Sequence, residues 1–212
     1  MKDERSGSSD ARQMTNTLAD EELMFHVRNG TGEMLGVLFS RYQSPLFNFY
    51  CKLTGDRSLS EDLVQDVFFR ILKYRQTYKP GTSFKTWMYQ IARNARLDNF
   101  RKQRPQVELE ESMAPTVIPM DTVQQTQESA LLHRALMQLP EEKREVLVLS
   151  RFQELKYEEI ALLLGCQPNA VKVKVFRALK DLREIYQQLE AKRASGDRTT
   201  RDRTRGNEYD VQ

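Results

Sequence analysis

The sequence has few of the residues that cross-link small domains or bind metals: its 212 residues include two cysteines, two histidines and one tryptophan. Cys51 and Cys166 form no CxxC pair and lie in different predicted helical units, which favours reduced thiols over a disulfide framework or a zinc site. No apolar run approaches the roughly 20 residues of a membrane span, and the first residues lack the apolar core of a signal peptide. These absences predict a cytoplasmic protein with no membrane insertion.

Motifs for catalysis and cofactor binding are missing as well. The sequence contains no glycine-rich phosphate loop and no HExxH, and His26 and His133 have no neighbours that suggest a metal site or a catalytic triad. Asp62 and Asp66 are at helical spacing, but no third carboxylate follows in a metal-binding pattern, so solvated or partner-facing acids are favoured over a two-metal nuclease. We therefore expect no enzymatic activity, no catalytic residue, no metal and no cofactor.

Charged residues make up 30% of the chain, whereas it has only nine glycines and seven prolines, a composition that favours helices. The net charge of +3 is too small to indicate a nucleic-acid partner, so the clustering of the charges matters more. The 3.6-residue periodicity predicts an all-α fold with two small helical domains. The predicted order is a disordered leader at 1–17, a domain at 18–104, a flexible linker at 105–128, a domain at 129–190 and a disordered charged tail at 191–212.

Capping residues and breakers divide the first domain into helices. Asp20 is a candidate N-cap for its first helix, and Ser60 is predicted to open a later, acidic helix. Between them, the pattern predicts one helix over 34–42 and a separate one beginning at Pro45, because proline is favoured in the first turn.

The acidic helix has an unusual polar side. Val64, Val67, Phe68 and Ile71 share its core side, and the opposite side is formed by Asp62, Gln65, Asp66, Phe69 and Lys73. A large aromatic residue surrounded by acids and an amide is typical of a protein-binding hot spot. The alternative is that a neighbouring loop covers Phe69.

The next helical segment is basic. Between Lys85 and Arg104 it has six basic residues and one acid, interleaved with tryptophan, tyrosine and phenylalanine. Arg93, Arg96 and Tyr89 are predicted to point away from the buried stripe. Cations suit phosphates and ring faces suit unstacked bases, so the segment predicts a nucleic-acid surface. The alternative is that Trp87 belongs to the core and the arginines are solvated.

Residues 156–183 form two short helical patterns separated by Gly165, which can adopt the left-handed conformation that ends a helix. Asn169 is the predicted N-cap of the second helix. Val171, Val175, Ala178, Leu179 and Leu182 form its predicted buried stripe, and Asn169, Val173, Phe176, Arg177 and Lys180 lie roughly opposite. This pattern predicts a helix-turn-helix whose second helix enters the DNA major groove. The alternative is an ordinary helical hairpin with a solvated basic face.

The order of these segments resembles the extracytoplasmic-function (ECF) subfamily of the sigma-70 family of bacterial RNA polymerase sigma factors. The segments that carry the resemblance are DLVQDVFFRI at 62–71, FKTWMYQIARNARLDNFRK at 84–102 and the stretch 136–184. With their flanking helices they cover about residues 20–103 and 129–189. Helix-turn-helix segments are widespread, but this order around one linker is highly specific.

The resemblance implies that the first domain is region two of a sigma factor. Its acidic helix would then dock on the clamp helices of the polymerase beta-prime subunit, through Asp62, Gln65, Asp66 and Phe69. The basic helix would recognise and help melt the −10 promoter element, with Asn94 and Asn99 reading an extruded base and Arg93, Arg96 and Arg101 holding the backbone. The full set implied for the −10 element is Lys85, Trp87, Arg93, Asn94, Arg96, Asn99, Arg101 and Lys102.

The resemblance likewise implies that the second domain is region four, which binds the −35 element and rests on the beta-subunit flap. The residues implied for the −35 element are Asn169, Ala170, Lys172, Val173, Lys174, Phe176, Arg177 and Lys180. Relatives often have a small polar residue followed by arginine where this chain has Val173 and Lys174, and lysine cannot form a bidentate pair with guanine. The linker would follow the RNA exit path, and an anti-sigma factor is a usual partner.

Two other classes of protein remain as alternatives. A stand-alone helix-turn-helix regulator would use its first domain to sense a ligand or to dimerise, and it would have no use for an exposed face around Phe69. A helical enzyme would need Asp62 and Asp66 to hold a metal. The face around Phe69, one domain away from the DNA helix, favours the sigma factor.

Overall fold

The computed structural model describes residues 17–103 and 127–205, and all the regular structure in these residues is helical, as predicted. The predicted linker and leader lie almost entirely outside the described residues. The α-helices are α1 (Asp20–Arg28), α2 (Glu33–Thr54), α3 (Arg57–Tyr74), α4 (Phe84–Gln103), α5 (Gln127–Gln138), α6 (Glu141–Leu147), α7 (Tyr157–Leu164) and α8 (Pro168–Arg205). Short 3-10 and π-helical segments, Arg75–Thr77 and Val148–Phe152, follow α3 and α6.

The first domain is built from α1 to α4, and α2 differs from the prediction. The structure has one continuous helix where the sequence predicted two, with Pro45 inside it. An internal proline removes one backbone hydrogen bond and costs a helix about 3 kcal/mol. The residues that follow, Leu46, Phe49 and Tyr50, are fully buried in the core. Their packing offsets the cost of the proline, and the prediction of a break there is wrong.

Two helix starts also differ from the predicted ones. Helix α1 begins at Asp20, and the Asp20 carboxylate accepts hydrogen bonds from Arg41, at 2.6 Å, and from the Tyr42 hydroxyl instead of capping the helix. Helix α3 begins at Arg57, where the Asp56 side chain accepts a hydrogen bond of 3.0 Å from the Leu59 amide. An aspartate is a strong N-cap, so the chain uses the first suitable residue after the Gly55 turn.

The helix-turn-helix is formed by α7 and α8, as the sequence predicted. Gly165 ends α7 with φ +63° and ψ +40°, the left-handed conformation that glycine adopts at little cost. At the start of α7 the Glu159 carboxylate accepts a hydrogen bond of 2.8 Å from the Lys156 amide. Helix α8 begins at Pro168, so Asn169 lies in the first turn and is not the N-cap.

Helix α8 continues to Arg205, beyond residue 190, where the sequence predicted the domain to end and a disordered tail to begin. Leu189 is buried in a small cluster with Leu131 and Ala135 of α5, which anchors this part of the helix. The next residues, Ala191, Lys192 and Arg193, are good helix formers, and the Arg193 guanidinium donates a hydrogen bond of 2.5 Å to the Gln127 side chain of α5.

The two domains pack directly on each other, with α4 against α7 and α2 against α5 and α6. Arg144 of α6 lies at this junction. Its guanidinium donates hydrogen bonds of 2.6 Å to the Leu53 carbonyl of α2 and 2.9 Å to the carbonyls of Met137 and Leu139. A helix leaves its last carbonyls without partners inside the helix, so one arginine here satisfies carbonyls from both domains.

Candidate functional site

The outer face of α3 is exposed, as the sequence predicted. Phe69 has 65% of its surface exposed, and no described segment covers it. Asp62 and Gln65 on the same face are exposed as well. Beside Phe69, Phe68 turns into the core, and its ring meets the Phe39 ring edge-on with 4.8 Å between centroids. An exposed ring surrounded by polar groups that stay hydrated forms a ready docking surface for another protein.

Asp66, the fourth residue predicted for this face, is half-buried and has an ion pair within the domain. Its carboxylate lies 2.9 Å from Arg70 Nε, and Arg70 Nη1 lies 2.7 Å from the Asp98 carboxylate of α4. Arg70 therefore links the face of α3 to the basic helix α4. The local sequence around Arg70 contains no signal for this link, because its second partner is 28 residues away. The hydrogen bond from Arg70 also lowers the pKa of Asp98.

Replacement of Arg70 by methionine is expected to raise the pKa of Asp98 towards about 3.9, the value of an unperturbed aspartate. The pKa of Asp98 is lower in the folded chain than in the unfolded chain. The ion pair therefore stabilises the fold at pH values above the unfolded pKa, and this contribution disappears as the pH falls through the folded pKa. The variant should therefore lose less stability in acid than the wild type. NMR titration of the Asp98 carboxyl carbon measures the shift. Arg57→Met, which removes a cation paired with Glu61, is the control, and an unchanged Asp98 pKa in Arg70→Met would contradict the expectation.

The residues of α4 that were predicted to contact nucleic acid differ widely in their exposure to solvent. Asn94, Arg101 and Lys102 are exposed, and the half-buried residues are Lys85, Trp87, Arg93 and Asn99. The Trp87 ring packs edge-on against the Tyr78 ring, with 5.3 Å between centroids, and is one of the partly buried residues at the edge of the core. Trp87 is thus both a packing residue and part of the surface.

Arg96 and Tyr89 do not point away from the protein, and this part of the prediction is wrong. Arg96 is 2% exposed and Tyr89 is fully buried. The Tyr89 hydroxyl donates a hydrogen bond to the Gln153 side chain of the second domain. The Tyr89 ring also packs on the Phe49 ring of its own domain, with 5.1 Å between centroids. The helical period of α4 cannot predict the burial of Arg96, because the glutamates that cover it come from a different domain.

Two glutamates of α6 cover the arginines of α4. The Arg96 guanidinium lies 2.5 Å from the Glu141 carboxylate and 3.3 Å from that of Glu145. Arg93 Nε lies 3.2 Å from the same Glu145 carboxylate. Glu141 and Glu142 lie in the first turn of α6, where acids suit the helix dipole, and the local sequence contains no signal for a partner about 50 residues earlier.

Helix α8 presents a continuous basic and apolar surface, which we call the recognition face. Its exposed residues are Asn169, Lys172, Val173, Lys174, Phe176, Arg177 and Lys180, and Ala170 is half-buried. Phe176 has 71% of its surface exposed and Val173 has 47%. Val171, Val175 and Ala178 are buried as predicted, but Leu179 is 36% exposed and lies at the edge of the stripe.

Two cations of the recognition face have long ion pairs on the protein surface. Lys174 Nζ lies 4.0 Å from Glu142 and Lys180 Nζ lies 3.9 Å from Glu184. Exposed pairs at such distances contribute little to stability, so DNA phosphates can displace them.

In the described part of the chain, no three histidine, cysteine, aspartate or glutamate side chains come together as a possible metal site. None of the described helices is long and apolar enough to span a membrane.

Two helical domains, one with an exposed aromatic docking face and a basic helix and the other with a helix-turn-helix, define a DNA-binding protein that also contacts a protein partner. The family described as Sigma-70 region 2 matches residues 38–106, and Sigma-70, region 4 matches residues 129–182. The chain therefore has both conserved modules of a transcription initiation factor, in the order that the sequence predicted.

The similarity extends to whole sigma factors. RNA polymerase sigma factor CarQ of Myxococcus xanthus is 33% identical over 170 residues, which cover 79% of this chain and 97% of the relative. ECF RNA polymerase sigma factor SigW of Bacillus subtilis is 26% identical over 176 residues, covering 77% and 94%. The chain belongs to the sigma-70 family of RNA polymerase sigma factors, in its ECF group. Members of this family are DNA-binding transcription initiation factors.

Solved structures have the same fold. The complex of CnrH with the cytosolic domain of CnrY aligns with a TM-score of 0.60 at 20% identity, covering 80% of this chain and 97% of that one. Sigma factor RpoE in complex with the anti-sigma factor NepR, from Bartonella quintana, aligns with a TM-score of 0.61 at 24% identity, covering 70% and 94%.

Proposed function

We propose that this sigma factor binds core RNA polymerase through the outer face of α3 and reads two promoter elements with α4 and α8. The observation that supports this best is the position of the exposed Phe69 face on one domain and the exposed recognition face on the other. In this proposal residues 18–104 act as region two and residues 129–190 as region four. The factor contributes recognition, in the bacterial cytoplasm, while the polymerase performs the chemistry.

The face of α3 docks on the clamp helices of the beta-prime subunit. Phe69 supplies the apolar anchor, and Asp62, Gln65 and Asp66 supply the polar contacts around it. The exposure of Asp62 and Gln65 supports this role, because both side chains are accessible to form new hydrogen bonds with a partner.

Helix α4 contacts the −10 element. Asn94 and Asn99 read an extruded base, Trp87 supplies an aromatic surface earlier on the same helix, and the cations Lys85, Arg101 and Lys102 bind the backbone. Arg93 and Arg96 take part once they are free of Glu141 and Glu145. The exposure of Asn94, Arg101 and Lys102 at the carboxyl half of the helix supports this assignment.

The recognition face of α8 contacts the −35 element in the major groove. Lys172, Lys174, Arg177 and Lys180 supply cations for phosphates, and Val173 and Phe176 offer apolar contacts such as those with a thymine methyl group. The second domain also rests on the beta flap. Exposure of these side chains on one side of a helix, with Val171 and Val175 buried behind them, supports this role.

An anti-sigma factor is a further partner in this proposal. The two solved structures with the same fold are both of complexes, and one of them is described as a sigma factor with an anti-sigma factor. The docking face around Phe69 and the junction between the domains are the surfaces such a protein would have to block to prevent initiation.

Run-off transcription with purified core polymerase tests the proposed function. The chain should co-purify with core and direct initiation from a promoter that core alone ignores. A chain that neither co-purifies with core nor directs initiation would contradict the proposal. Binding of duplex promoter DNA by the free chain, without any effect on initiation, would instead support the stand-alone regulator, which the Phe69 face does not favour.

A further inference from the structure

A cleft of about 490 Å³ opens where the second half of α2, the start of α4 and the end of the π-helical segment meet. Its volume lies within the range of about 300–1,000 Å³ that is usual for small-molecule sites. The residues that line it include Asn48 and Lys52 of α2, Lys85 of α4, and Phe152 and Glu154 of the second domain. Of the residues that line this cleft, only Lys85 belongs to a surface assigned above to polymerase or DNA.

Hydrogen bonds within the protein fix two walls of the cleft. The buried Tyr89 hydroxyl donates to the Gln153 side chain, which is buried as well. The Tyr42 hydroxyl donates to the Asp20 carboxylate, and the Tyr42 ring meets the Phe84 ring edge-on with 5.4 Å between centroids. These contacts hold the shape of the cleft in the absence of a ligand, as is usual for a small-molecule site.

Two half-buried lysines, Lys52 and Lys85, line the cleft, and within the described part of the chain neither forms an ion pair. Burial lowers the pKa of the Lys52 ammonium, because the cation has lost part of its hydration without gaining an anion. A phosphate group has about 1.5 to 2 negative charges at pH 7, and lysine is a common partner for it. Two unpaired lysines therefore suit a phosphate better than a singly charged carboxylate.

An aromatic ring lies next to these cations. Phe152 is 38% exposed, and the Lys52 ammonium lies 4.9 Å from the centre of its ring. Bases pack on exposed aromatic side chains whatever their sequence, because every base has a flat face. The ring and the cation are close enough for one small molecule with a flat ring and a phosphate to contact both.

Two further polar side chains complete the lining. Glu154 is exposed and has φ +54°, and among the described residues it is the one residue other than glycine with a positive φ. Backbone strain of this kind is frequent at ligand sites, and an acidic side chain commonly accepts hydrogen bonds from the ribose of a nucleotide. The Asn48 side chain has no hydrogen-bond partner in the described residues, so its amide is available to the edge of a base.

We propose that this cleft binds a ribonucleotide, a small molecule that combines a phosphate, a ribose and a flat base. Lys52 and Lys85 bind the phosphate, Phe152 packs against the base, and Glu154 accepts hydrogen bonds from the ribose hydroxyls. This site goes beyond the proposed function and does not depend on it, because every contact lies within the free chain.

Isothermal titration calorimetry of the full chain with the four ribonucleoside 5′-monophosphates tests the site. We expect at least one of them to bind. Ribose 5-phosphate lacks the base, and the matching nucleoside lacks the phosphate. Each should bind about tenfold more weakly than the nucleotide, because each loses one of the two main groups of contacts.

Lys52→Met is the first test variant, since it keeps the apolar stem and removes the charge. It should weaken nucleotide binding by about tenfold, and Lys52→Arg, which keeps the charge, should recover most of the affinity. Lys73→Met is the matched control. The Lys73 ammonium also lies over an aromatic ring, 5.4 Å from the centre of the Tyr74 ring, but it is exposed on α3 and outside the cleft.

Phe152→Leu is the second test variant, and it keeps the experiment decisive if Lys52→Met does not fold. It removes the ring and leaves both lysines, so it should weaken binding of the nucleotide and leave binding of ribose 5-phosphate nearly unchanged. Circular dichroism confirms that each variant is folded.

Three results would overturn the nucleotide site. The first is that none of the four nucleotides binds, and the second is that Lys52→Met and Lys73→Met bind the nucleotide equally well. The third is that a single-stranded DNA oligonucleotide binds in a manner that depends on Lys52 while no mononucleotide binds. That result would assign the cleft to the DNA surface that includes Lys85.

Discussion

Replacement of Phe69 by alanine is expected to weaken binding of core polymerase by about 30- to 700-fold, or about 2–4 kcal/mol, as is typical of an aromatic hot spot. The ring is 65% exposed in the free chain, so its loss should change the free energy of unfolding by less than about 0.5 kcal/mol. A competition assay against a labelled sigma factor measures binding, and chemical denaturation measures stability.

Phe25→Ala is the matched control for this experiment. Phe25 is 46% exposed on α1 and has an edge-on ring contact with its neighbour His26. The Phe25→Ala substitution removes the same kind of ring from the same domain, but from outside the proposed docking face. Equal loss of core binding in the two variants would show that exposed aromatic surface in general, and not the α3 face, governs the affinity.

The second large effect is expected on promoter binding, from substitutions on the recognition face. In holoenzyme, Arg177→Gln combined with Lys174→Gln should weaken promoter binding by about tenfold per residue, or about 1.4 kcal/mol each. If both cations contact phosphates, the slope of log affinity against log salt should fall in magnitude by about 2, because each contact releases about 0.9 of a counterion. A salt series of promoter-binding measurements gives both quantities.

The control for this pair is Arg134→Gln, which removes an exposed cation from α5 of the same domain, outside the recognition face. It should leave the salt slope nearly unchanged. An unaltered slope in the double variant, with activity lost only on promoters that depend on the −10 element, would mean that α8 is not the recognition helix.

The sequence predicted well those features that depend on neighbours a few residues away. The turn at Gly165 and the exposure of Phe69 follow from local periodicity and from one residue with unusual backbone freedom. Both are confirmed by the structure. The stripe behind the recognition face was also predicted except at Leu179, where the packed surface ends.

The errors at Pro45 and Arg96 have a common physical origin in contacts between distant segments. Pro45 was predicted to begin a helix, because local preference cannot measure how much core packing offsets its cost. Arg96 was placed on the surface because its partners, Glu141 and Glu145, lie more than 40 residues later. Helical period determines which side of α4 faces its own domain, but it contains no information about the domain that packs on the other side.

The position of Arg144 determines what is lost when the two domains separate. Two of its three carbonyl acceptors, those of Met137 and Leu139, belong to its own domain and stay with it, so the guanidinium never becomes an isolated charge. The Leu53 carbonyl, at the end of α2, exchanges one arginine donor for a water molecule. Separation of the domains would therefore remove only one of the three carbonyl acceptors of Arg144 and would leave its charge paired within the second domain.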